Sequence, residues 1–330
     1  MRVVVTGATG NVGTSLLDAL GAADAVQSIV GLARRLPSGP PPPKVEWRRA
    51  DIVHDDLAAH FRGADCVVHL AWLIQPSRDR NQTWLVNVHG SGRVFEAVAD
   101  AGVPALVYAS SVGAYSPGPK ELVDESWPTG GVQTSFYARD KSEVERRLDR
   151  FERSHPGVRV VRLRPSLLFK RAMGTEVKRL FTGRWVPHPI VSRRTIPFVP
   201  DTPRLRFQAT HTDDVAQAYR LAVVGDARGA FNVAADPVLD PDELSRLLGR
   251  RKVRLSERAV RALVAATWRA HIQPTPAGWV DMALETPLLD STRARSELGW
   301  RPTRSAGDAL LELLEGFHDG AGAPTPPLAP

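Results

Sequence analysis

A tyrosine and a lysine at helical spacing are the first residues in this sequence that could do chemistry together. Tyr137 and Lys141 lie in the run FYARDKSEVERRL, and a separation of four residues places both side chains on one helix face. A free tyrosine has a pKa near ~10, too high for proton exchange at neutral pH, and a nearby ammonium group lowers it. The pair therefore predicts a general acid/base beside a cation that could also bridge ribose hydroxyls. An ordinary exposed helix face is the alternative interpretation.

Serines and glycines add two further features. Ser110 and Ser111 close the apolar run ALVYASS, so their hydroxyls belong at the carboxyl end of a strand, where parallel sheets bind ligands. Gly7, Gly10 and Gly13 follow a run of three valines and open a helix. A side chain there would keep a phosphate away from the free N–H groups of the helix N-terminus. Strand, glycine turn and helix predict a dinucleotide site, with a purely structural turn as the alternative.

The elements that must position these residues alternate along the chain. Apolar strands separated by amphipathic helices predict an α/β, Rossmann-type doubly wound parallel sheet with a smaller, mainly helical C-terminal substrate domain. The predicted dinucleotide-binding domain covers 1–168 and is completed by two strands within 207–235, at 207–210 and 231–234. The predicted substrate-binding part covers 169–206 and 236–318. A disordered tail is predicted over 319–330.

Composition and charge narrow the class of protein. The chain has 330 residues, 43% of them hydrophobic, and its single cysteine, Cys66, excludes an intramolecular disulfide. The sequence shows no signal-peptide pattern and no apolar stretch that could span a bilayer, so we expect a cytoplasmic protein without a membrane partner. The net charge of +7 comes from 37 arginines and 6 lysines scattered among acids, which argues against nucleic-acid binding. We expect a small-molecule substrate.

Taken in their order along the chain, these motifs resemble the extended branch of the short-chain dehydrogenase/reductase superfamily, often labelled NAD-dependent epimerase/dehydratase. The resemblance covers nearly the whole chain. It rests on residues 7–13, 51–52, 69–71, 87, 110–111, 137–141, 164–165, 211–215 and 297–300.

The resemblance implies a role for each matching residue. Tyr137 would be the general acid/base, Lys141 its electrostatic partner, and Ser111 the group that orients a substrate carbonyl. Asn87 would support the active-site geometry, Asp51 and Ile52 would meet the adenine, and Leu70 and Ala71 would pass close to the diphosphate and ribose. The residues implied to contact the cofactor are Gly7, Thr9, Gly10, Asn11, Val12, Gly13, Asp51, Ile52, Leu70, Ala71, Asn87, Tyr137, Lys141 and Pro165.

The end of the second predicted strand bears on the choice of cofactor. NAD-binding members of the family usually place an acid there for the ribose 2′-hydroxyl, whereas this chain has Ala33 followed by Arg34 and Arg35. Arginine can pair bidentately with a 2′-phosphate that an acid would repel. We therefore predict that Arg34 and Arg35 contact the cofactor and that NADP(H) is preferred, with NAD(H) possible. Two solvent-facing arginines are the alternative.

The reaction type follows from departures from the family's patterns. Similar dehydratases carry Thr-Asp-Glu where this chain has Ser111-Val112-Gly113, and epimerases show a longer Asn-containing run where it has LRPSLLF. These departures favour NADP(H)-dependent reduction of a ketone or aldehyde on a small hydrophobic substrate, with Tyr137 as the general acid. An NAD-dependent nucleotide-sugar epimerase or dehydratase is the alternative, and a non-enzymatic dinucleotide sensor is a third class.

The substrate site and the assembly state are less defined by the sequence. A metal site is not expected, because His69, His89 and His211 lack ligand spacing with cysteines or acids. The helix of Tyr137 lacks a second apolar stripe, so we expect a monomer or a weak homodimer. The candidate substrate walls, which could instead simply pack the small domain, are Trp72, Leu73, Ile74, Phe169, Trp268, Trp279 and Met282, and the candidate anion-binding arginines are Arg171, Arg193 and Arg194.

Overall fold

The computed structural model describes residues 1–75, 77–182 and 195–329. The strands are β1 (Arg2–Thr6), β2 (Ser28–Ala33), β3 (Val45–Arg49), β4 (Cys66–His69), β5 (Ala105–Ala109), β6 (Leu122–Val123), β7 (Arg159–Pro165), β8 (Leu167–Phe169), β9 (Val199–Asp201), β10 (Ala209–His211), β11 (Gly229–Val233), β12 (Lys252–Arg254) and β13 (Leu288–Leu289).

Helices fill the intervals between the strands. They are α1 (Asn11–Gly21), α2 (Leu57–Phe61), α3 (Arg80–Trp84), α4 (Gly90–Asp100), α5 (Phe136–Ser154), α6 (Gly174–Val177), α7 (Thr212–Val224), α8 (Pro241–Leu248), α9 (Glu257–Arg269), α10 (Gly278–Glu285), α11 (Thr292–Glu297) and α12 (Ala306–Asp319). Short 3-10 turns occur at Val112–Ala114 and Arg171–Met173, and π-helical turns at Leu85–His89 and Lys178–Thr182.

Seven parallel strands form the central sheet in the order β11-β7-β5-β4-β1-β2-β3. The chain winds outward in opposite directions from β1 and β4, and doubly wound sheets bind ligands beyond the carboxyl ends of the strands at such a switch point. The glycine turn leaves β1 at this point. The predicted Rossmann-type doubly wound fold is confirmed.

Both faces of the sheet are covered, which explains the wholly apolar strands. Val3, Val4 and Val5 of β1 are fully buried. One face packs against α1 and α7 through residues such as Leu16, and the other packs against α4 and α5 through residues such as Leu148. Burial on both faces favours β-branched and aliphatic residues, as in the three valines of β1.

One of the two strands predicted to complete the sheet lies elsewhere. Residues 229–233 join β7 as predicted for 231–234, but Ala209–His211 pairs with Leu167–Phe169 in a separate two-stranded sheet. The position beside β7 is already occupied on both sides, by β5 and by β11, so a further strand cannot join there. The short strand β8, which follows β7 directly, provides an alternative partner.

The remaining C-terminal part consists of helices and short strand pairs around a smaller apolar cluster that includes Val199, Leu239 and Leu314. The prediction of a disordered tail over 319–330 differs from the structure, because α12 extends to Asp319 and Leu328 is fully buried beside α12. The prolines and glycines of residues 319–330 are typical of a disordered tail. The contacts of Leu328 with α12 join distant parts of the chain, so the local sequence does not predict them. The candidate anion-binding residues Arg193 and Arg194 lie outside the described residues.

Within the described ranges, no helix combines the length and apolar character that crossing a bilayer would require.

Candidate active site

The glycine turn approaches its neighbours so closely that side chains are excluded. Gly7 has a φ of +72°, and a Cβ atom there would lie 2.6 Å from the Ala71 nitrogen. A Cβ at Gly13 would lie 2.5 Å from the Gly7 carbonyl oxygen. Helix α1 begins at Asn11, its N-cap is Gly10, and no side chain caps it. The first turn of α1 therefore presents uncapped N–H groups, an arrangement that binds phosphate.

A cleft of about 180 Å³ opens in front of this turn at the carboxyl ends of the strands. It contains nine of the residues predicted to contact the cofactor, from the glycine turn to the ends of β2, β3 and β4. They are Gly7, Thr9, Gly10, Arg34, Arg35, Asp51, Ile52, Leu70 and Ala71.

Other predicted cofactor residues lie outside this lining. Asn11, Val12 and Gly13 form the first turn of α1 behind the glycine turn, and Pro165 is the buried last residue of β7. Asn87, in the π-helical turn, accepts a 2.7 Å hydrogen bond from the Leu73 N–H and donates a 2.9 Å hydrogen bond to the Leu73 carbonyl. Its side chain thus fixes the segment after β4. Tyr137 and Lys141 lie farther along, beyond Trp72.

The end of the cleft beside β2 is basic. Arg34 and Arg35 are exposed, and neither guanidinium has an ion-pair partner among the described residues. Asp51 accepts a 2.8 Å hydrogen bond from the Val53 N–H, which fixes its carboxylate in a turn at the end of β3. No acidic residue of β2 lines the end of the cleft beside Arg34 and Arg35, so the two arginines can accept an anionic group there.

Ser111, Tyr137 and Lys141 come together beyond Trp72, outside the lining of the cleft. The Ser111 hydroxyl accepts a 3.0 Å hydrogen bond from the Gly113 N–H, which holds it at the end of β5. The Ser135 side chain caps α5 directly before Tyr137 and thereby fixes the start of that helix. The Lys141 Nζ donates a 2.6 Å hydrogen bond to the Ala109 carbonyl.

The electrostatics of the pair differ from the sequence-based expectation. Burial raises the pKa of the Tyr137 phenol, and the nearby Ser111 hydroxyl partly opposes this shift. Burial also lowers the pKa of Lys141 to about 7, against the attraction of Glu145 and Asp140. The Lys141 Nζ lies 5.9 Å from the centroid of the Tyr137 ring. At this separation the ammonium does not lower the pKa of the phenol.

Trp72 stands between the cofactor cleft and the catalytic pair. Its ring lines the cleft, the Lys141 Nζ lies 3.5 Å from its centroid, and its edge meets Tyr137 at a ring-centroid distance of 5.8 Å. A cation over an indole face is attracted by the ring quadrupole. The indole therefore holds the ammonium away from the phenol.

Aromatic side chains cover the other side of Tyr137. The Trp279 ring lies 5.0 Å from the Tyr137 ring, and Phe181 lies 5.1 Å from Trp279. The Met282 sulfur lies beside Gly113, where a Cβ would approach it to 3.1 Å. Trp72, Trp279 and Met282, predicted as substrate walls, thus gather at the tyrosine.

Three other predicted substrate contacts do not lie there. Phe169 packs beside α12, and Trp268 stacks under Arg78 at 4.3 Å. Arg171 forms a 2.5 Å surface ion pair with Asp319, so it does not point toward the tyrosine as an anion-binding group.

Two buried acids on α5 form ion pairs that were missed at the sequence level. Glu145 binds Arg164 at 2.9 Å and Arg162 at 2.8 Å, and these arginines hold its pKa at about 2 despite burial. Asp140 meets Arg80 of α3 at 3.3 Å. Glu145 follows Lys141 by four residues, so its position on the same helix face was a usable signal. Arg80 lies 60 residues before Asp140 in the sequence, so no sequence signal indicates that the two residues form an ion pair.

His69 serves a structural role. His69 bonds to Thr6 at 2.7 Å and to Ser91 at 2.9 Å, and burial lowers its pKa to about 3, so the imidazole stays neutral. Within the described ranges no three or more His, Cys, Asp or Glu side chains converge as a metal site would require.

A family model of the NAD dependent epimerase/dehydratase family matches residues 3–234. The chain belongs to this family. The resemblance to the extended short-chain dehydrogenase/reductase branch, often labelled NAD-dependent epimerase/dehydratase, is thereby confirmed.

Relatives of this family member differ in their stated activities. It is 28% identical to a UDP-glucose 4-epimerase of Mycolicibacterium smegmatis, over 97% of this chain and 99% of that one. It is 27% identical to a 3 beta-hydroxysteroid dehydrogenase/Delta 5-->4-isomerase of Mycobacterium tuberculosis, over 95% and 89%. The chain spans only 30% of the length of uncharacterised relatives from Mycobacterium bovis and Mycobacterium tuberculosis, to which it is 25% identical.

The fold is also similar to that of MoeE5 in complex with UDP-glucose and NAD. The TM-score is 0.70 at 20% sequence identity, and the match covers 97% of this chain and 99% of that one. At this identity the likeness establishes the fold.

Proposed function

We propose that this family member transfers a hydride between a nicotinamide dinucleotide and a hydroxyl-bearing or carbonyl carbon of its substrate. The observation that carries the proposal is the meeting of Ser111, Tyr137 and Lys141 beside Trp72, which itself lines the cleft that begins at the glycine turn. A purely structural turn or an exposed helix face would not need this convergence. A dinucleotide sensor would also have no use for a buried phenol beside a serine.

The chain's residues fit a dinucleotide. Gly7 and Gly10 would lie against the diphosphate, Asp51 and Ile52 against the adenine, and Leu70 and Ala71 along the ribose. When bound, the cofactor supplies hydride chemistry. Ser111 would donate a hydrogen bond to the substrate oxygen, and the Tyr137 Oη would give a proton to that oxygen or take one from it. Lys141 would favour the phenolate once its ammonium leaves the Trp72 face.

A nucleotide sugar is the first substrate candidate. The 28% identical epimerase relative matches nearly end to end, and MoeE5 was solved with UDP-glucose and NAD. A basic group supports this choice: Lys120, Arg204 and Arg206 gather at the end of α10, where burial and the two arginines lower the pKa of Lys120 to about 8. Trp279 lies six residues before Glu285 on α10, about 9 Å along the axis. A diphosphate could occupy the basic end while the sugar meets Tyr137.

A hydrophobic alcohol or ketone is the second candidate, favoured by one observation. Trp72, Trp279 and Phe181 surround Tyr137 with aromatic surface, which suits an apolar ring better than a hydroxyl-rich sugar. The steroid dehydrogenase relative is compatible with such a substrate. Under this alternative the exchangeable cofactor would be NADP(H), paired with Arg34 and Arg35.

The cofactor separates the two candidates, so the test begins there. Protein purified without added nucleotide is denatured, and any released dinucleotide is identified by mass spectrometry. Retained NAD together with interconversion of UDP-glucose and UDP-galactose without added cofactor supports the epimerase. An empty protein that oxidises NADPH with apolar ketones supports the reductase. A protein that binds neither dinucleotide in calorimetry contradicts the proposed function altogether.

A further inference from the structure

The cofactor cleft has a wall that none of the family motifs contributes. Besides the glycine turn and the strand ends, it is lined by Glu176 of α6 and by Pro326 and Pro327. The two prolines belong to residues 321–329, which we call the cover segment. They lie on the same cleft as Gly7 and Gly10, although more than 300 residues separate them in sequence.

The cover segment is anchored at both of its ends. At its start, the Thr175 N–H donates a 3.1 Å hydrogen bond to the Ala321 carbonyl, and the Ala321 N–H donates a 2.8 Å hydrogen bond to Gly316 of α12. Toward its other end Leu328 is fully buried in a cluster with Met173 and with Leu313 and Phe317 of α12. An Arg179 N–H also donates to the Pro327 carbonyl. A segment with these contacts has a defined course across the cleft.

Internal hydrogen bonds keep the cover segment compact between these anchors. The Ala323 N–H donates to the Leu328 carbonyl at 3.0 Å, and the Leu328 N–H donates to the Thr325 carbonyl at 2.9 Å. Prolines at 324, 326 and 327 restrict the backbone further, which lowers the entropy lost when the segment docks. The segment is therefore a compact unit that is held at its two ends.

The anchors also contact the glycine turn. Asn11, the first residue of α1, donates from its Nδ2 to the Met173 sulfur at 3.4 Å, and Met173 packs against Leu328. Lys170, just before this region, donates to the Asn11 carbonyl at 2.8 Å. A displacement of Leu328 would thus loosen the same contacts that hold the start of the phosphate-binding helix.

We propose that the cover segment forms the outer wall of the dinucleotide site and controls how fast the cofactor enters and leaves. This inference rests on the proposed function, since it requires that the cleft hold a nicotinamide dinucleotide. A cofactor lying between the glycine turn and Pro326–Pro327 leaves only when Leu328 comes out of its pocket. The segment thereby favours a retained cofactor over one exchanged at every turnover.

The test compares dinucleotide binding kinetics in the full chain and in Leu328→Ser. Stopped-flow mixing with NAD(H) and chase with unlabelled nucleotide give the association and dissociation rates. We expect both rates to rise by about tenfold in Leu328→Ser, because release of a closing segment speeds passage in both directions. Leu248→Ser, which changes a similarly buried leucine of α8 that does not line the cleft, should leave both rates unchanged.

A second measurement keeps the proposal testable if Leu328→Ser is unstable. Hydrogen exchange of the wild type should show that the amides of Ala323 and Leu328 become more protected when dinucleotide is bound. If Leu328→Ser binds the dinucleotide with unchanged rates, or if binding leaves the amide protection of the wild type unchanged, the cover segment proposal is overturned. The proposed function is not affected by either result. Absence of dinucleotide binding by the wild type overturns the proposed function as well.

Discussion

The Lys141 ammonium lies 3.5 Å from the centroid of the Trp72 ring, on the side of the cofactor cleft. The family resemblance gives this ammonium to the ribose hydroxyls of the cofactor and to the phenol of Tyr137. Both roles require that the indole and the ammonium separate. In the structure the Trp72 indole thus holds the Lys141 ammonium at the edge of the cofactor cleft.

Dinucleotide binding should consequently change the fluorescence of Trp72. We expect the wild type to show a clear change in intrinsic emission on titration with NAD(H) or NADP(H), because the indole loses its cation. Trp72→Phe should lose most of this change, whereas Trp84→Phe, at a tryptophan that is 44% exposed on α3, should retain it. An undiminished signal in Trp72→Phe would show that the ring does not move.

The buried lysine should make stability depend on pH in a defined direction. Burial lowers the pKa of Lys141 to about 7 from an ordinary value of 10.5. Between these values the unfolded chain binds more protons than the folded chain, so this group makes the free energy of unfolding rise with pH. Lys141→Met removes the contribution. Its stability relative to the wild type should be greater at about pH 6 than at about pH 9 in denaturant titrations.

A matched variant makes that comparison specific. Lys44→Met replaces an exposed lysine and should show the same stability difference from the wild type at both pH values. If Lys141→Met behaves like Lys44→Met, the ammonium of Lys141 is not penalised by burial.

Glu176 should make cofactor affinity fall as pH rises. Burial raises the pKa of this carboxyl to about 7, while the neighbouring Arg179 and Lys170 act in the opposite direction. Glu176 lines the cleft, so its ionised form repels a diphosphate there. The dissociation constant of the dinucleotide should increase through about pH 7, and Glu176→Gln should make this increase smaller, the remainder coming from loss of the Lys141 charge. Glu315→Gln, at an exposed position of α12, should keep the profile of the wild type.

Arg34 and Arg35 should decide how well a 2′-phosphate is accepted. We expect the double change to alanine to weaken NADP(H) by roughly tenfold to a hundredfold, the range for hydrogen bonds between charged groups, and to affect NAD(H) little. Calorimetric titration of both cofactors gives the ratio. Arg153→Ala on α5 is the control for loss of an exposed arginine. Equal weakening of both cofactors would assign the arginines to the diphosphate instead.

The sequence predicted those features whose signals are local. The valine run, the glycines and the helix after them specify β1, the turn and α1, because each needs its residue types within a few positions. The same is true of Tyr137 and Lys141 on α5. The family motifs then located the remaining strand ends of the cleft, including Asp51 and Leu70, which the structure places in its lining.

Features that depend on distant contacts could not be predicted. The position of Trp72 over Lys141 joins residues that are 69 positions apart, and the burial of Leu328 beside Met173 joins residues 155 apart. The sequence analysis assigned strand β10 to the central sheet, whereas it pairs with β8 in a separate sheet. Its sequence does not show that β5 and β11 already occupy both sides of β7. In each case the deciding contact joins residues that are far apart in the sequence, so it leaves no local signal.

The central claim is that Tyr137 exchanges a proton with the substrate while the cofactor lies in the adjoining cleft. Its most direct test is a single-turnover measurement of nicotinamide absorbance after a substrate identified by the screens above is added to cofactor-saturated protein. Tyr137→Phe should bind the cofactor normally but reduce or oxidise it about 10²- to 10⁴-fold more slowly.

The matched control for this measurement is Tyr108→Phe. The Tyr108 hydroxyl is buried and has no hydrogen-bond partner among the described residues, so its removal should leave the rate unchanged. The account predicts a slow Tyr137→Phe beside a Tyr108→Phe that matches the wild type. A Tyr137→Phe variant with the rate of the wild type would contradict it.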